Sequence, residues 1–599
     1  MKRRNAIERL IAVLTLSVLV AGCGGGGEPP VRLSTPEVQA ALRAVQPDAI
    51  ENHIRVLADD SLSGRAPGTF GFRGAAQYAE ATLQALGLEP AGVDGYRQPV
   101  RLRESMVREN LSWMSITTPS ARAMLEYDVD YYVSPDPLRR EVSTRDPDVE
   151  RWGQETSGVL ERMAARGASD QAVSDSMALI EPPDMSGANV AFVGYGVSAP
   201  ALGYDDYADI DVEGKIVAYL TGAPSAFPSN ERAYYSSGGT KAAEALDRGA
   251  MGIVSFTYPG DPRFRWDVSI ARSKRGSFAW VNEAEEPNRG DERLLGTASL
   301  NHSAAAALFE GAPRSLEDVF AAAAASTPQA FDLASRVSIH TETSHRRVDS
   351  WNLVARLEGS DPVLRDEHVV YVAHIDHFGV GVEVDGDQIY NGAHDNASGT
   401  SIVLEIARAF TSLPTAPRRS ILFLIVTAEE WGLLGSDYFV NNPTVPQSSL
   451  VANFSLDMPF LFHPLLDIVP YGAEHSTMSR SVARAAEHLG IALAEDPIPE
   501  QVLFIRSDHF SFIRQGIPAL FIKSGFETGD PALDGSTINA AFRSDLYHTP
   551  FDEADQGFDF DAGVQHARVN FLTGYVVAQE TARPTWNPGD FFGGLFGGR

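Results

Sequence analysis

Thiols are almost missing from this 599-residue sequence, in which Cys23 is the only cysteine. The chain therefore forms no internal disulfide bond, and a metal site within the fold must use nitrogen and oxygen donors. Basic residues are also scarce, because 49 Lys and Arg face 79 Asp and Glu and give a formal net charge of -30. This charge and the lack of a basic cluster argue against a nucleic-acid partner, since a phosphate backbone would be repelled.

The apolar run at residues 10–21 is too short to span a bilayer as an ordinary transmembrane helix. It follows basic residues at positions 2–4 and precedes small residues, which is typical of an export signal. The sequence LVAGC resembles the bacterial lipobox, in which the cysteine becomes the lipidated first residue of the mature protein. We therefore predict a lipoprotein signal peptide over residues 1–22, lipidation of Cys23 and a flexible tether over residues 23–34.

Such an anchor would hold an exported protein on the bacterial cell envelope, on the periplasmic or outer-membrane side or at the cell surface. The membrane would then be one of its partners. The alternative is a plain signal peptide followed by an incidental cysteine. The anchor is favoured because an exported chain would otherwise expose one reactive thiol.

Two catalytic fingerprints are missing from the sequence. The GxSxG motif does not occur, so the nucleophile elbow of serine hydrolases has no candidate. Gly194-Tyr195-Gly196 starts like a dinucleotide-binding motif, but Pro200 and Gly203 follow it in place of a helix. We therefore expect neither serine-hydrolase chemistry nor nucleotide binding.

The C-terminal half alternates apolar strands with helical patterns, and several of its strands end in a carboxylate or an imidazole. Sequential strands separated by helices predict an α/β fold with a doubly wound, mostly parallel mixed sheet. Ligands of such sheets bind outside the carboxyl ends of the strands. The donors at strand ends or in nearby loops are His374, Asp395, Glu429, Glu430, Asp457 and His548.

Two imidazoles and three carboxylates favour Zn²⁺, with Co²⁺ or Mn²⁺ as the next choices. Five ligands exceed the needs of one open catalytic zinc, but they suffice for two ions when one carboxylate bridges them. The adjacent Glu429 and Glu430 leave their strand toward different sides, so one is expected to bind metal while the other takes a proton from the attacking water. The predicted reaction class is metal-assisted hydrolysis of an acyl bond. Four other histidines are interpreted as structural residues and not as ligands: His377, His394, His463 and His509.

The sequence from about residue 350 to 580 resembles the M28 family of co-catalytic zinc peptidases. The words that carry the resemblance are YVAHIDHFG, YNGAHDNASGT, RRSILFLIVTAEEWGLLGS, NFSLDM, RSDHFSF and YHTPFD. Two earlier words, LADDSLSGRAPGTFGFRGAAQYAE and GLEPAG, match the family as well. The resemblance implies a zinc exopeptidase domain, and the usual substrate of the family is a peptide with a free amino terminus.

Carried over to this sequence, the resemblance implies two Zn²⁺ per chain with Asp395 as the bridging ligand. One ion would be held by His374, Asp395 and Asp457, and the other by Asp395, Glu430 and His548. Glu429 would be the general base, and Asp376 would orient the imidazole of His374. Asp508 matches a region that lines the substrate pocket of the family.

Residues 187–338 resemble the protease-associated domain, a small β-rich module that interrupts exported peptidases, through VGYGVSAPALGYDDYADIDVEGKIV and AAEALDRGAMGIV. The sequence therefore predicts a peptidase domain interrupted by this block. The remaining predicted segments are an N-terminal part of the peptidase domain at 35–136, a charged helical insertion at 137–186, the main catalytic domain at 339–585 and a C-terminal tail at 586–599.

The favoured prediction is a zinc aminopeptidase that hydrolyses the N-terminal peptide bond with Glu429 as general base. One alternative is a single-zinc acyltransferase of the glutaminyl-cyclase kind, and another is a dipeptidase or carboxypeptidase of the same fold. A third alternative is a non-catalytic receptor built on a degenerate peptidase domain. The complete set of ligands and base favours the enzyme.

Overall fold

The structure is a computed structural model that describes residues 30–144, 187–261, 265–325, 327 and 329–598. The predicted signal peptide, Cys23 and residues 145–186 of the predicted helical insertion lie outside these ranges. Within them, no helix combines the length and the apolar character needed to cross a membrane.

The first sheet is mixed and has four parallel strands at its centre. Their spatial order is Ser420–Val426, His368–His374, Leu450–Ser455 and Ala519–Ser524. Antiparallel strands flank this centre on both sides, and further strands extend the sheet. The flanking and outer strands are Ala330–Leu357, Asp467–Tyr471, Ala492–Leu493, Arg97–Val107, Glu89–Pro90 and Ser277–Trp280. The predicted α/β class with a mostly parallel mixed sheet is confirmed.

Both faces of the first sheet are covered. In the strand His368–His374 every residue is buried, with Val369 and Tyr371 packing into one hydrophobic cluster and Val370 and Val372 into another. A continuous β-branched run is therefore what this central strand requires. Helices over the first cluster are Pro36–Ala44, Pro47–Leu57, Phe70–Ala85, Gly399–Thr411, Ser479–Leu489 and Phe560–Gln579. Helices over the second are Leu434–Asn441, His509–Ile513 and Phe591–Phe596.

Short helical turns and two hairpins connect these elements. The turns are Asp60–Arg65, Glu109–Leu111, Pro200–Leu202, Leu364–Asp366, Ala393–Ser398, Gln447–Ser449, Ala473–His475, Pro499–Gln501, Leu503–Ile505 and Phe542–Leu546. The hairpins pair Gly379–Val384 with Asp387–Tyr390 and Ser198–Ala199 with Tyr204–Asp205. A further helix, Gly535–Ala541, leads into the turn that precedes His548.

The second sheet has its own parallel centre, in the order Ala188–Val193, Ile216–Leu220, Gly252–Phe256 and Thr297–Leu300. Its antiparallel strands are Trp113–Thr117, Arg122–Met124, Tyr131–Val133 and Glu141–Ser143. Its helices are Ser229–Ser236, Gly238–Asp247, Trp266–Ser273, His302–Leu308 and Leu316–Ala324. These elements enclose a separate hydrophobic core, and we call them the second unit.

One long strand, Ala330–Leu357, belongs to both sheets. Its first part pairs with strands of the second sheet, and from Thr343 onward it pairs with Arg97–Val107 and then with Ser420–Val426. The predicted domain boundary between residues 338 and 339 therefore falls inside a single strand. Sequence patterns locate strands but not their partners, and the pairing partners decide to which unit a residue belongs.

Two other predicted segments differ from the structure. Residues 113–133, predicted as part of the peptidase domain, supply strands to the second sheet. The described start of the predicted helical insertion contains the strand Glu141–Ser143, which pairs with the long strand. Val142 is buried between two more exposed neighbours, and this alternation of one apolar residue is too short to recognise in a charged segment.

The predicted C-terminal tail is part of the fold. Phe592 in the helix Phe591–Phe596 is fully buried, and its ring centroid lies 4.8 Å from those of both Phe504 and His475. The last helix thus closes the second hydrophobic cluster of the first sheet.

Candidate metal centre

His374 is the last residue of its strand, and its side chain is fully buried. Its Nδ1 lies 3.2 Å from the backbone carbonyl of Asp376, which places the proton on Nδ1 and leaves Nε2 as a ligand atom. The hydroxyl of Thr400 donates to the carbonyl of His374 and fixes the strand end against the following helix. Nε2 then faces Asp395 Oδ1 at 3.4 Å and Asp457 Oδ1 at 3.6 Å.

The second imidazole approaches from the C-terminal part of the chain. His548 Nε2 lies 3.1 Å from Asp395 Oδ2 and 3.3 Å from Glu430 Oε2. The two oxygens of Asp395 thus face two different histidines, which is the arrangement of a bridging carboxylate. All five residues predicted as ligands come together.

The spacing and environment of these donor atoms suit zinc. Two ligand atoms that are each about 2.0–2.1 Å from a tetrahedral zinc are about 3.3 Å apart. The distances of 3.1 to 3.6 Å that separate both histidines from their carboxylates bracket this value. Within the described part of the chain, His374 Nε2 and Asp457 Oδ1 are buried and have no hydrogen-bond partner. Buried polar atoms are rarely left in this state, and a divalent cation would satisfy both.

His377 also lies at this centre, although the sequence analysis treated it as structural. It is fully buried, and its Nδ1 contacts Glu430 Oε1, while His548 faces the other oxygen of the same carboxylate. His377, Asp395 and Glu430 form a second group of potential ligands beside the group of His374. The signal in the sequence was the position of His377, three residues after His374 at the same strand end.

The two adjacent glutamates face different partners, as predicted. Glu429 Oε2 lies 3.7 Å from His374 Nε2, whereas Glu430 faces His548. Both backbone N–H groups donate to the carboxylate of Asp376, over 3.2 Å and 3.5 Å. The side chain of Asp376 therefore fixes the backbone at Glu429 and Glu430, which we call the glutamate turn. Asp376, which was predicted to orient the imidazole of His374, contacts this ring through its backbone carbonyl.

The carboxylates of the centre differ in proton affinity. Burial raises the pKa of Glu429 well above its usual range, and the charges of Asp457 and Asp508 raise it further. Burial acts in the same direction on Asp395, but its interactions with the imidazoles of His374 and His548 outweigh it and hold the pKa of Asp395 well below its usual range. Glu429 is therefore the better proton acceptor, and Asp395 the better ligand.

Arg65 supports the centre from the N-terminal segment, a role that the sequence analysis did not assign. Its side chain is 1% exposed, and its guanidinium donates to the carbonyls of Ile375, Asn391 and Gly392. Ile375 directly follows His374, whereas Asn391 and Gly392 precede the turn that carries Asp395. One side chain thus fixes both loops.

We expect Arg65→Met to destabilise the protein by about 3 kcal/mol, because it leaves several buried carbonyls without a donor. Urea unfolding of the metal-free and metal-loaded protein measures this loss. The matched control is Arg73→Met, since Arg73 is exposed on the next helix. Equal stability of the two variants would show that Arg65 has no supporting role.

Asp552 is a second supporting residue that the sequence analysis missed. Its carboxylate accepts hydrogen bonds from the backbone N–H groups of His394 at 2.8 Å and Asp395 at 2.9 Å. It lies four residues after His548, so one short segment both supplies a candidate ligand and fixes the bridging carboxylate. Its place in the word YHTPFD was the available signal.

Asn396 connects the turn of Asp395 to the end of the next strand. Its amide donates to the carbonyl of Leu456 over 2.9 Å and accepts from the N–H of Met458 over 3.1 Å. These two residues flank Asp457. The side-chain amide of Asn396 thus fixes the position of Asp395 relative to Asp457.

The assignment of Asp508 to the substrate pocket stays a prediction. Its side chain is fully buried and is not part of the lining of the cavity beside the centre. Burial raises its pKa to about 6. The neighbouring Arg506 is part of that lining.

An open cavity adjoins the centre. Asp395, Glu429, Glu430 and Asp457 form part of its lining. The rest of the lining is Met458, Leu503, Arg506, Phe521, Lys523, Arg543 and Tyr547. This cavity opens directly beside the candidate ligands, where a substrate group could reach them.

The second unit borders the centre. Arg272, on the helix Trp266–Ser273, lies 3.3 Å from Nδ1 of His548. Arg289 donates to the backbone carbonyls of residues 431–432, which follow the glutamate turn. The inserted block therefore forms one side of the approach to the candidate ligands.

The fold and these donors define a candidate two-metal centre at the strand ends of an α/β sheet. Residues 352–572 match the model of Peptidase family M28, a range that contains every residue of the centre. The chain is 25% identical over 298 residues to the "Probable leucine aminopeptidase 2" of Aspergillus fumigatus, covering 47% of this chain and 54% of that relative.

It is also 30% identical over 196 residues to "Aminopeptidase YwaD" of Bacillus subtilis, covering 31% of this chain and 37% of that protein. The chain thus spans about half, or less, of the length of these curated relatives. The structure of an aminopeptidase from Aneurinibacillus sp. strain AM-1 aligns with 91% of this chain and 99% of its own, at 16% identity and a TM-score of 0.48.

Proposed function

We propose that the protein is a metal-dependent aminopeptidase that removes the residue at the free amino terminus of peptides. The observation that carries this proposal is Asp395, whose two oxygens face the imidazoles of His374 and His548. The match to Peptidase family M28 and the similarity to proteins named as aminopeptidases support the choice of the peptide bond as the target.

His374, Asp395 and Asp457 would hold one zinc ion, and Asp395, Glu430 and His548 the other. Bound zinc would polarise the carbonyl of the substrate and lower the pKa of the attacking water. Glu429 takes a proton from that water as its oxygen attacks the carbonyl carbon. The proton then passes to the leaving amine as the C–N bond breaks.

A single-zinc acyltransferase is the second candidate function. It would need one ion and no attacking water, and the paired oxygens of Asp395 argue for two ions. A non-catalytic receptor would have no reason to keep a buried glutamate beside the ligands at 8% exposure.

The deciding experiment compares free and amino-blocked aminoacyl p-nitroanilides and peptides, with and without a chelator. We expect hydrolysis of the free substrates only, loss of activity with chelator and recovery with Zn²⁺. Cleavage of the blocked substrates alone would contradict aminopeptidase activity. Formation of a pyroglutamyl product in place of a free amino acid would favour the acyltransferase.

We also propose that the second unit is a protease-associated domain that shields the approach to the centre. The contact between Arg272 and His548 supports this proposal, as does the contact of Arg289 with the glutamate turn. Its resemblance to that domain family rests on residues 187–338.

For the cellular location, we propose export followed by lipid anchoring at Cys23 on the bacterial cell envelope. The lipobox-like LVAGC supports this proposal. We expect Cys23→Ser to shift the protein from the membrane fraction to the soluble fraction, because the thiol is the site of acylation. Fractionation with immunoblotting measures the shift, and Ser17→Ala, inside the apolar run, serves as the control. An unchanged distribution of the Cys23→Ser protein would contradict the anchor.

A further inference from the structure

Three basic side chains line the cavity beside the candidate ligands: Arg506, Lys523 and Arg543. This is unexpected in a chain with a formal net charge of -30. None of the three forms an ion pair with a carboxylate in the described ranges. Their positive charge is therefore directed at the cavity and the centre.

The two arginines retain hydrogen-bond donors that no described residue uses. Arg506 donates to the hydroxyl of Tyr547 at 2.9 Å, and Arg543 donates through Nε to Asn539 at 3.1 Å. Each guanidinium has five N–H groups, so most of them have no protein acceptor. Lys523 differs, because its ammonium donates to the carbonyls of Asp457 and Met458.

A purely structural explanation would assign these cations to the neutralisation of the ligand carboxylates. Two divalent ions at the centre would, however, already balance the four carboxylates that line the cavity. The charge of the basic side chains would then remain without a counter-charge. A buried or half-buried cationic cluster of this kind is stabilised when an anion binds between its members.

We propose that this cavity binds a carboxylate of the peptide substrate through Arg506 and Arg543. The inference rests on the proposed peptidase function and adds the class of substrate to it. A planar guanidinium binds a carboxylate through two parallel hydrogen bonds, and carboxylates are the anionic groups of ordinary peptides. The carboxylate comes either from an acidic side chain of the terminal residue or from the free carboxyl end of a short peptide.

The first arm of the test compares the p-nitroanilides of glutamate and glutamine, which match in size and differ in side-chain charge. We expect kcat/KM of the zinc-loaded protein to be about 10- to 100-fold higher for the glutamate substrate. Arg543→Gln should remove this preference, and Arg543→Lys should restore part of it. Arg480→Gln, an exposed position on a distant helix, is the control of equal charge loss.

The second arm compares Leu-Leu with Leu-Leu amide, which differ in the terminal carboxylate. A preference for the free acid that disappears in Arg543→Gln would assign the carboxylate to the carboxyl end of the peptide. Equal rates within both pairs of substrates would overturn the inference while leaving the peptidase function intact.

A binding measurement separates this inference from the proposed function. Glutarate, titrated into the zinc-loaded protein by calorimetry, should bind at least about tenfold more weakly to Arg543→Gln and unchanged to Arg480→Gln. If no substrate is hydrolysed but this difference is present, the peptidase proposal fails and the carboxylate site stands. Equal glutarate affinity of wild type and Arg543→Gln would contradict the carboxylate site.

Discussion

Glu429→Gln is expected to lower kcat by about 10²- to 10⁴-fold while the protein retains its metal, because glutamine has the shape of glutamate but cannot take a proton. The side chain of Glu429 borders the cavity, and it lies 3.7 Å from Nε2 of His374. Steady-state kinetics and elemental analysis of the same preparation measure the two quantities.

The neighbouring residue provides the matched comparison for this substitution. Glu430→Gln should lower the metal content, since Glu430 lies 3.3 Å from His548 as part of the ligand set. If Glu429→Gln kept activity within tenfold of wild type, another group would have to be the base. If it lost metal as Glu430→Gln does, its role would be that of a ligand.

Asp395→Ala is expected to reduce the metal content from the proposed two ions per chain to one or fewer and to abolish activity. The physical reason is that its two oxygens serve both groups of ligands, so one substitution weakens both sites. Metal content after dialysis and the metal dependence of the melting temperature measure the effect.

The control for Asp395→Ala is Glu383→Ala, because Glu383 is an exposed acid on the nearby hairpin and should leave the metal content unchanged. Retention of two ions by Asp395→Ala would show that a different residue bridges. His377, which contacts Glu430, would then be the first residue to test as a ligand.

The candidate ligands at strand ends were predictable from a local pattern, whereas Asp395 and His548 lie in or after turns. An apolar strand that ends in His374, Glu429-Glu430 or Asp457 delivers its terminal side chain to one edge of a parallel sheet. That edge is common to all the central strands, so the residues meet without any knowledge of the loops. The α/β fold followed from the same alternation of strands and helices.

The supporting residues were not predictable in this way, because their partners are distant in sequence. Arg65 donates to Asn391, which is 326 residues away, and Asp552 accepts from Asp395 across 157 residues. Neither hydrogen bond produces a periodic pattern in the sequence. The complete burial of Asp508 likewise depends on packing that its neighbours in sequence do not reveal.

The predicted domain boundaries differ from the division between the two sheets because strands pair with partners that are distant in sequence. Residues 113–133 have the pattern of ordinary strands, and only the register shows that they join the second sheet. The strand Ser277–Trp280 shows the opposite exchange, because it lies inside the inserted block but pairs with Arg97–Val107 of the first sheet.

The long strand Ala330–Leu357 has a mechanical consequence. Modules joined by flexible linkers reorient freely, whereas a strand paired along both of its halves resists bending, because a hinge would break ladder hydrogen bonds in two sheets. The second unit is thus built into the same β-framework as the first sheet. A truncation that removed the inserted block would therefore also cut into the sheet that carries His374, because Ser277–Trp280 pairs with Arg97–Val107 of that sheet.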